Sequence, residues 1–277
     1  TAAARSDNPE LVAAKRRHIP TQTYAQALGE LSRDYRLIAV AGSHGKSTTT
    51  ALAALTLVRG GLDPTVVIGT KLRELKNTNL RIGRLPALPA GRRAARQARP
   101  WLVIEADEYR ASFLHYSPLI AVVTNIDREH LDYYQTIAGV ERAFLKFLLR
   151  IQPGGTAILN RDDLRVRRIA SKLTRSRPDI RILWHSGKSP AAKKIKKLIR
   201  IPGAHNVSNA AAAHVVASTL HIPQSTIFKA IGAYRGAWRR FDYQGTFSLR
   251  GASGQAGAKV FADYAHHPTE IRATLQA

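Results

Sequence analysis

Six consecutive residues, Gly42-Ser43-His44-Gly45-Lys46-Ser47, gather two glycines, a lysine and two hydroxyls in the space of one turn. The chemistry that this set suits is the holding of phosphate groups. Free N–H groups of a first helical turn, with the positive end of its dipole, point at whatever sits over the turn, and glycines let backbone approach closely. Lys46 would add a mobile charge for β and γ phosphates, while Ser47, followed by Thr48, can place a hydroxyl on a magnesium ion that bridges them. The general phosphate-loop pattern asks for a glycine five residues before Gly45, where this chain has Val40, so only the shorter form is present. A glycine turn with a solvated lysine is the plain alternative.

Two further groups of reactive side chains follow apolar runs. Residues 101–104 lead into Glu105-Ala106-Asp107-Glu108-Tyr109, and residues 119–124 lead into Asn125-Ile126-Asp127-Arg128-Glu129-His130-Leu131-Asp132. In open parallel sheets ligands bind beyond the carboxyl ends of strands. Carboxylates placed there can hold the second side of a magnesium ion whose first side is the loop hydroxyl. Acidic residues are scarce in this chain, which weighs against a merely solvated acidic turn. A lone histidine is usually structural, yet His130 stands just past a strand and among carboxylates, where a metal ligand would stand.

The elements that must position these groups follow from periodicity. Short apolar runs at 37–41, 65–68, 101–104, 119–124, 156–159 and 180–184 read as buried strands. Helical stretches are expected at 11–17, 24–31, from Ser47 to the stop at Gly60-Gly61, and at 139–150, 164–173, 203–220 and 224–233. Strand and helix alternate, which predicts an α/β fold: a P-loop-type, mostly parallel sheet with helices on both faces. Residues 71–99 are expected to be loop-rich, with a basic loop at 85–99, and residues 188–200 to be a lysine-rich connection. Strands at 245–249 and 259–262 would begin a second α/β domain.

At 277 residues with 44% hydrophobic content, the chain can bury a sizeable core in one large domain or two small ones. Zero cysteines exclude disulfides and thiolate metal sites, and agree with a cytoplasmic location. No apolar run is long enough to cross a bilayer, and no basic-then-apolar leader opens the chain. With no methionine and its start inside Thr1-Ala2-Ala3-Ala4-Arg5, it reads as an excised piece. A net charge of +24 at a pI near 11.0 raises the question of nucleic acid. The basic runs at 92–99, 165–168 and 193–200 carry none of the interleaved aromatics that stack bases, so specific nucleic-acid recognition is not expected and a solvated basic face is.

The short loop resembles the nucleotide loop of the Mur ligases and of their folylpolyglutamate synthetase cousins. Four more strings follow in that family's order: EADEYRASFLHYSP from Glu105, the run from Thr124 to Asp132, Gly203-Ala204-His205-Asn206 with Asn209, and Asp263-Tyr264-Ala265-His266-His267-Pro268-Thr269-Glu270. The string from Glu105 is most similar to the family's alanine-adding branch. The resemblance implies that Ser47 and Glu105 bind magnesium, that His130 binds a second magnesium, and that His205 and Asn206 sit near adenine. Tyr234 to Asp242 resembles the family's hinge, so Arg240 would face the ATP γ-phosphate, and Asp263 would approach the ribose. His266 and His267 would lie near the amino-acid side. Where the family has Asp before the histidine, this chain has Glu129.

The resemblance further implies three parts: residues 1–35 as the tail of a substrate domain, 36–236 as the central ATP-binding domain, and 237–277 as the start of a C-terminal domain. The activity implied is ATP-dependent amide formation between UDP-N-acetylmuramate and L-alanine through an acyl phosphate, with Lys46, His130 and Arg240 as catalytic residues and no membrane partner. A murein-tripeptide or folylpolyglutamate-type ligase shares the ATPase core, and a basic, nucleotide-dependent polyanion-binding module is the reading from another class. Because ligation needs carboxylate, phosphate and amine held together, residues 1–277 alone are expected not to turn over.

Overall fold

Within β1 (Arg36–Ala41) successive side chains enter opposite cores: Ile38 and Val40 join one buried cluster, Leu37, Ala39 and Ala41 the other. That alternation is what a strand covered by helices on both faces must show, and it explains why the run reads as continuously apolar. The computed structural model describes residues 4–84, 99–248 and 257–277. Seven strands form the main sheet in the order β3-β2-β4-β1-β5-β6-β7. The others are β2 (Thr65–Leu72), β3 (Thr78–Arg81), β4 (Trp101–Glu105), β5 (Ile120–Val123), β6 (Thr156–Asn160) and β7 (Arg181–His185). All pairings are parallel except β2 with β3.

Helices α1 (Pro9–Arg16) and α2 (Tyr24–Leu31) precede the sheet. Both start where their residues dictate. Asn8 accepts the N–H groups of Glu10 and Leu11 with Pro9 opening the helix, and Thr23 with Gln26 forms a reciprocal capping box. Next come α3 (Lys46–Arg59), the single turn α4 (Leu131–Tyr134), α5 (Ile137–Leu149) and α6 (Leu164–Ser176). They are followed by α7 (Pro190–Leu198), α8 (Ala204–Thr219), α9 (Gln224–Ala233) and α10 (Pro268–Leu275). Helices α3, α7, α8 and α9 cover one face of the sheet; α2, α5 and α6 cover the other. An antiparallel pair, β8 (Asp242–Ser248) and β9 (Gly257–Ala262), forms a separate sheet. Among the described residues no helix is long and apolar enough to cross a membrane.

The expected α/β layering is present, and two local expectations are corrected. Residues 190–198 form a helix, not an irregular connection: Ser189 caps it, Pro190 sits in its first turn, and Ala192 and Ile195 bury one stripe while lysines fill the rest. Lysines masked the pattern because a two-residue stripe carries little periodic signal. Residues 71–84 are not loop throughout: β2 runs on to Leu72, and Lys76 and Asn77, both left-handed at φ 58° and 60°, turn the chain into β3. The basic loop expected at 85–99 lies, save for Arg99, outside the described residues, as does Leu249 of the strand expected at 245–249.

Between β4 and β5 an irregular helical segment, Tyr109–His115, inserts Phe113 between two helix-borne rings. Phe113 is fully buried, stacked on Phe147 at 4.9 Å and edge-on to Phe144 at 5.2 Å. Its backbone follows directly from the Glu105 to Tyr109 string, so packing here fixes where those carboxylates stand. Replacing Phe113 with Ala should destabilise the protein by about 3–5 kcal/mol, read from the urea midpoint, since a ring-sized cavity opens between rigid neighbours.

Candidate active site

The chain leaves β1 through Gly42 at φ 143° and enters α3 through Gly45 at φ 80°. A Cβ on either would collide, at Gly42 with the Thr124 side chain and at Gly45 with the Asn209 amide, so glycine is required for space as well as for conformation. The loop is tied to the end of β5. Asn125 accepts the His44 N–H at 2.8 Å and donates back to the His44 carbonyl at 2.9 Å, and Thr124 donates to that carbonyl at 2.6 Å. Ser43 donates its backbone N–H to the Asn125 carbonyl at 3.1 Å, and its hydroxyl accepts the Asp127 N–H at 2.8 Å.

Two side chains of the loop face carboxylates at the end of β4. Ser47 Oγ donates to Glu105 Oε1 at 3.0 Å, and Glu105 Oε2 accepts the Gly69 N–H of β2 at 2.8 Å. Lys46 Nζ lies 2.8 Å from Glu108 Oε2 and donates to the carbonyls of Gly42 and Ser43 at 2.8 and 3.1 Å. Burial pulls the Lys46 ammonium down, but Glu108 outweighs it and keeps the lysine charged above its ordinary range. Burial pushes the Glu108 carboxyl up, to about 7, against the pull of that ammonium. His130 joins Glu108, with Nε2 3.6 Å from Oε1, and its ring lies 4.9 Å from that of Tyr109. Asp107, Glu108 and His130 offer ligand atoms within 4.8 Å of one another. His130 holds a left-handed backbone, φ 54°, at the start of α4, a strained conformation for a side chain with a Cβ.

His44 is the centre of a second cluster. Its Nε2 is 3.2 Å from Asp127 Oδ2, and its Nδ1 is 3.2 Å from Glu270 Oε1 and 4.0 Å from Glu129 Oε2. Thr269 donates to Asp127 at 2.9 Å, and the His267 ring lies 4.9 Å from that of His44. The start of α10 is thereby clasped onto the phosphate loop. His266 reaches Glu129 at 3.8 Å and Glu270 at 3.7 Å but stays mostly exposed.

Beside the clasp opens a cavity of about 300 Å³. Gly45, Ser47 and Thr48 form one wall, His205, Asn206 and Asn209 from α8 another, and Arg240, Asp263 and Glu270 close it. Asn206 does not cap α8; its amide donates to the Pro202 carbonyl at 2.6 Å. Asp263 is held by the hinge, accepting the Phe241 N–H at 2.7 Å and the Ala265 N–H at 2.8 Å. Lys46, Glu105 and His130 do not line this cavity, and His130 meets Glu108 rather than Glu105.

The family description "Mur ligase middle domain" matches residues 40–217, and "Mur ligase family, catalytic domain" matches residues 1–36. The chain belongs to the Mur ligase family. A UDP-N-acetylmuramate–L-alanine ligase of Aromatoleum aromaticum is 39% identical over 99% of this chain and 60% of its own length. One of Geobacter sulfurreducens is 40% identical over 99% and 58%. The chain therefore spans about three fifths of the curated relatives that it matches. Among solved structures, a UDP-N-acetylmuramate-alanine ligase of Thermotoga maritima superposes with TM-score 0.75 at 24% identity, covering 99% of this chain and 61% of that one. A murein peptide ligase of Psychrobacter arcticus gives 0.74 at 22%, with the same shares of 99% and 61%. At those identities the structures share the fold.

Several residues that meet at this site were not legible in the sequence. Glu108 stands within the quoted acidic string, but nothing in the string tells that it, rather than Glu105, is the counter-ion of Lys46. Asn125 and Asp127 were visible only as polar residues past a strand, and Glu270 only as the last letter of a motif.

The His44 clasp titrates from both sides. Burial pulls His44 down, but Glu270, Glu129 and Asp127 override it and raise the imidazole above its ordinary 6.5. Burial pushes Glu270 up, but His44, the His266 N–H and Arg240 hold its carboxyl at about 2 instead of 4.5. Glu270 thus contributes fully above pH 4.5 and is lost as pH falls towards 2, while His44 contributes fully below pH 6.5 and is lost as pH rises through its raised value. Hydrogen exchange of the α10 amides, corrected for intrinsic rates, should be slowest between pH 4.5 and 6.5 and accelerate on the alkaline side. His44→Gln should flatten that alkaline limb.

Proposed function

We propose that this chain carries the nucleotide machinery of an ATP-dependent ligase of peptidoglycan precursor synthesis, acting in the cytoplasm on UDP-N-acetylmuramate and L-alanine. The observation that carries the reading is the pair of contacts Ser47–Glu105 and Lys46–Glu108, which place a phosphate-loop hydroxyl and ammonium against carboxylates of the neighbouring strand end. Eight relatives of 36–40% identity bear the alanine-ligase name, which favours that acceptor and amine over a tripeptide or folate substrate.

The residues divide the work as follows. N–H groups of the Gly42 to Ser47 loop and the start of α3 receive the phosphates, and Lys46 leaves Glu108 to meet the β and γ groups. His205 and Asn206 border adenine, Asp263 the ribose, and Arg240 the γ-phosphate, where a guanidinium offsets developing charge. The Ser47 hydroxyl and Glu105 carboxylate fit a hard cation: two oxygens already 3.0 Å apart at the loop. Asp107, Glu108 and His130 supply a second donor set. Magnesium at these sites would neutralise phosphate charge during transfer. The γ-phosphoryl group passes to the lactyl carboxylate with release of ADP. The amino group of L-alanine, brought in on the side of His266 and His267, then displaces phosphate from the acyl phosphate to form the amide. Residues 1–35, 36–236 and 237–277 are assigned to the substrate-domain tail, the ATP-binding domain and the start of the C-terminal domain.

Calorimetric titration with magnesium and ATP tests the assignment. Lys46→Ala should weaken binding at least about tenfold, roughly 1.4 kcal/mol. Unchanged affinity would take Lys46 out of the site. Glu105→Gln keeps the size but removes the charge, so the magnesium requirement for ATP binding should rise; an unaltered requirement in both Glu105→Gln and His130→Ala would defeat the metal assignment.

A further inference from the structure

Residues 161–200 hold fourteen lysines and arginines against three aspartates, and so supply +11 of the chain's net +24. The three aspartates are spent locally: Asp163 caps α6, Asp162 accepts from Ser186 and Gly187, and Asp179 pairs with Arg177. Arg167, Arg168, Lys172 and Arg175 stand exposed on α6, and Lys193, Lys194, Lys196 and Lys197 stand exposed on α7. Among the described residues none of these eight forms an ion pair with a carboxylate.

The fold joins the two groups. Helices α6 and α7 pack on opposite faces of the sheet whose edge strand is β7, so the charges lie on both sides of that rim. Trp184 of β7, 40% exposed, lies on that rim on the face shared with Ile182 and α6. Leu164 at the start of α6 and Leu198 at the end of α7 are 53% and 38% exposed. The rim strand β7 is three strands from β1, about 14 Å at usual strand spacing, and of α6 and α7 only Arg165, in the first turn of α6, lines the cavity.

We propose that this rim seats the protein on an anionic lipid bilayer. A phosphate backbone rewards the cations alone, and one indole without neighbouring aromatics makes no platform for bases. A bilayer surface rewards both features: lysines and arginines are drawn to acidic headgroups, and an exposed tryptophan settles at the headgroup level. Charge and shallow apolar contact together give the two signals that reversible membrane seating needs.

Co-sedimentation of the intact chain with phosphatidylcholine vesicles, with and without phosphatidylglycerol, tests the proposal. Binding should need phosphatidylglycerol and weaken as salt rises. The quadruple replacement of Lys193, Lys194, Lys196 and Lys197 by Glu should weaken it at least about tenfold while leaving ATP affinity unchanged, which also reports that the variant folds. Trp184→Ala should keep low-salt binding but lose what persists at higher salt, and a vesicle-induced blue shift in emission should vanish in Trp184→Phe. Equal sedimentation with neutral vesicles overturns the proposal. So does duplex DNA that outcompetes phosphatidylglycerol vesicles, or a Trp184→Ala variant that binds them as the parent does at every salt concentration.

Discussion

A lysine ammonium held under a glycine turn needs a partner, and the structure is arranged around giving it one. The Lys46 side chain is 14% exposed and that of Glu108 1%, so each desolvated charge would be costly without the other. Glu108 can stand there only because β4 lies beside β1 in parallel register, Val40 opposite Glu105, which carries the acidic string just past the loop. Phe113 then anchors the chain beyond Glu108 in the core, and the Tyr134 hydroxyl donates to the Glu108 carbonyl. The pair also holds the lysine under the loop, where it donates to the Gly42 and Ser43 carbonyls. A polyphosphate that offers more negative charge than one carboxylate can draw Lys46 away, after which Glu108 faces His130 and Asp107.

The same topology makes the remaining contacts nearly unavoidable. β5 is the other neighbour of β1, so its trailing residues Thr124 and Asn125 fall on the loop from the opposite side. The loop is therefore gripped by two strand ends, with Ser47 and Lys46 turned towards β4 and His44 towards β5. That division separates a lysine–hydroxyl–carboxylate half from a histidine–carboxylate half. The start of α10 engages only the second. Docking of the C-terminal segment can thus respond to the state of His44 without disturbing the Ser47–Glu105 contact.

Much of this was legible in residue order. The strand–loop–helix unit, the strand ends bearing carboxylates and the two-faced parallel sheet all follow from apolar runs closed by glycine or polar residues, because buried parallel strands leave that trace. Asn206 shows where legibility stopped: its place at the front of an alanine-rich helix suggests a cap, yet its amide turns back to Pro202 and the cap position is Gly203. Glu108 shows it again, since burial and pairing are decided by three-dimensional neighbours and not by the string. Helix α7 was hidden because its core face is only Ala192 and Ile195 under a coat of lysines.

Charge is distributed against the bulk composition, and that has consequences for binding. Glu105, Asp107, Glu108, Asp127, Glu129 and Glu270, six of the nineteen acidic residues in a strongly basic chain, gather around the phosphate loop. Lys46, Arg165 and Arg240 are cationic company there. A bare triphosphate approaching that set meets carboxylates at close range, so the long-range attraction of a +24 chain does not by itself favour its entry. Divalent cations between carboxylate and phosphate would resolve the conflict, and the Ser47 and Glu105 oxygens that face one another at the loop are donors of the kind such a cation takes. Residues 161–200 around the β7 edge carry +11 of the +24, and among the described residues the eight exposed cations of α6 and α7 pair with no carboxylate, so attraction to an anionic surface is stronger there than at the carboxylate-lined site.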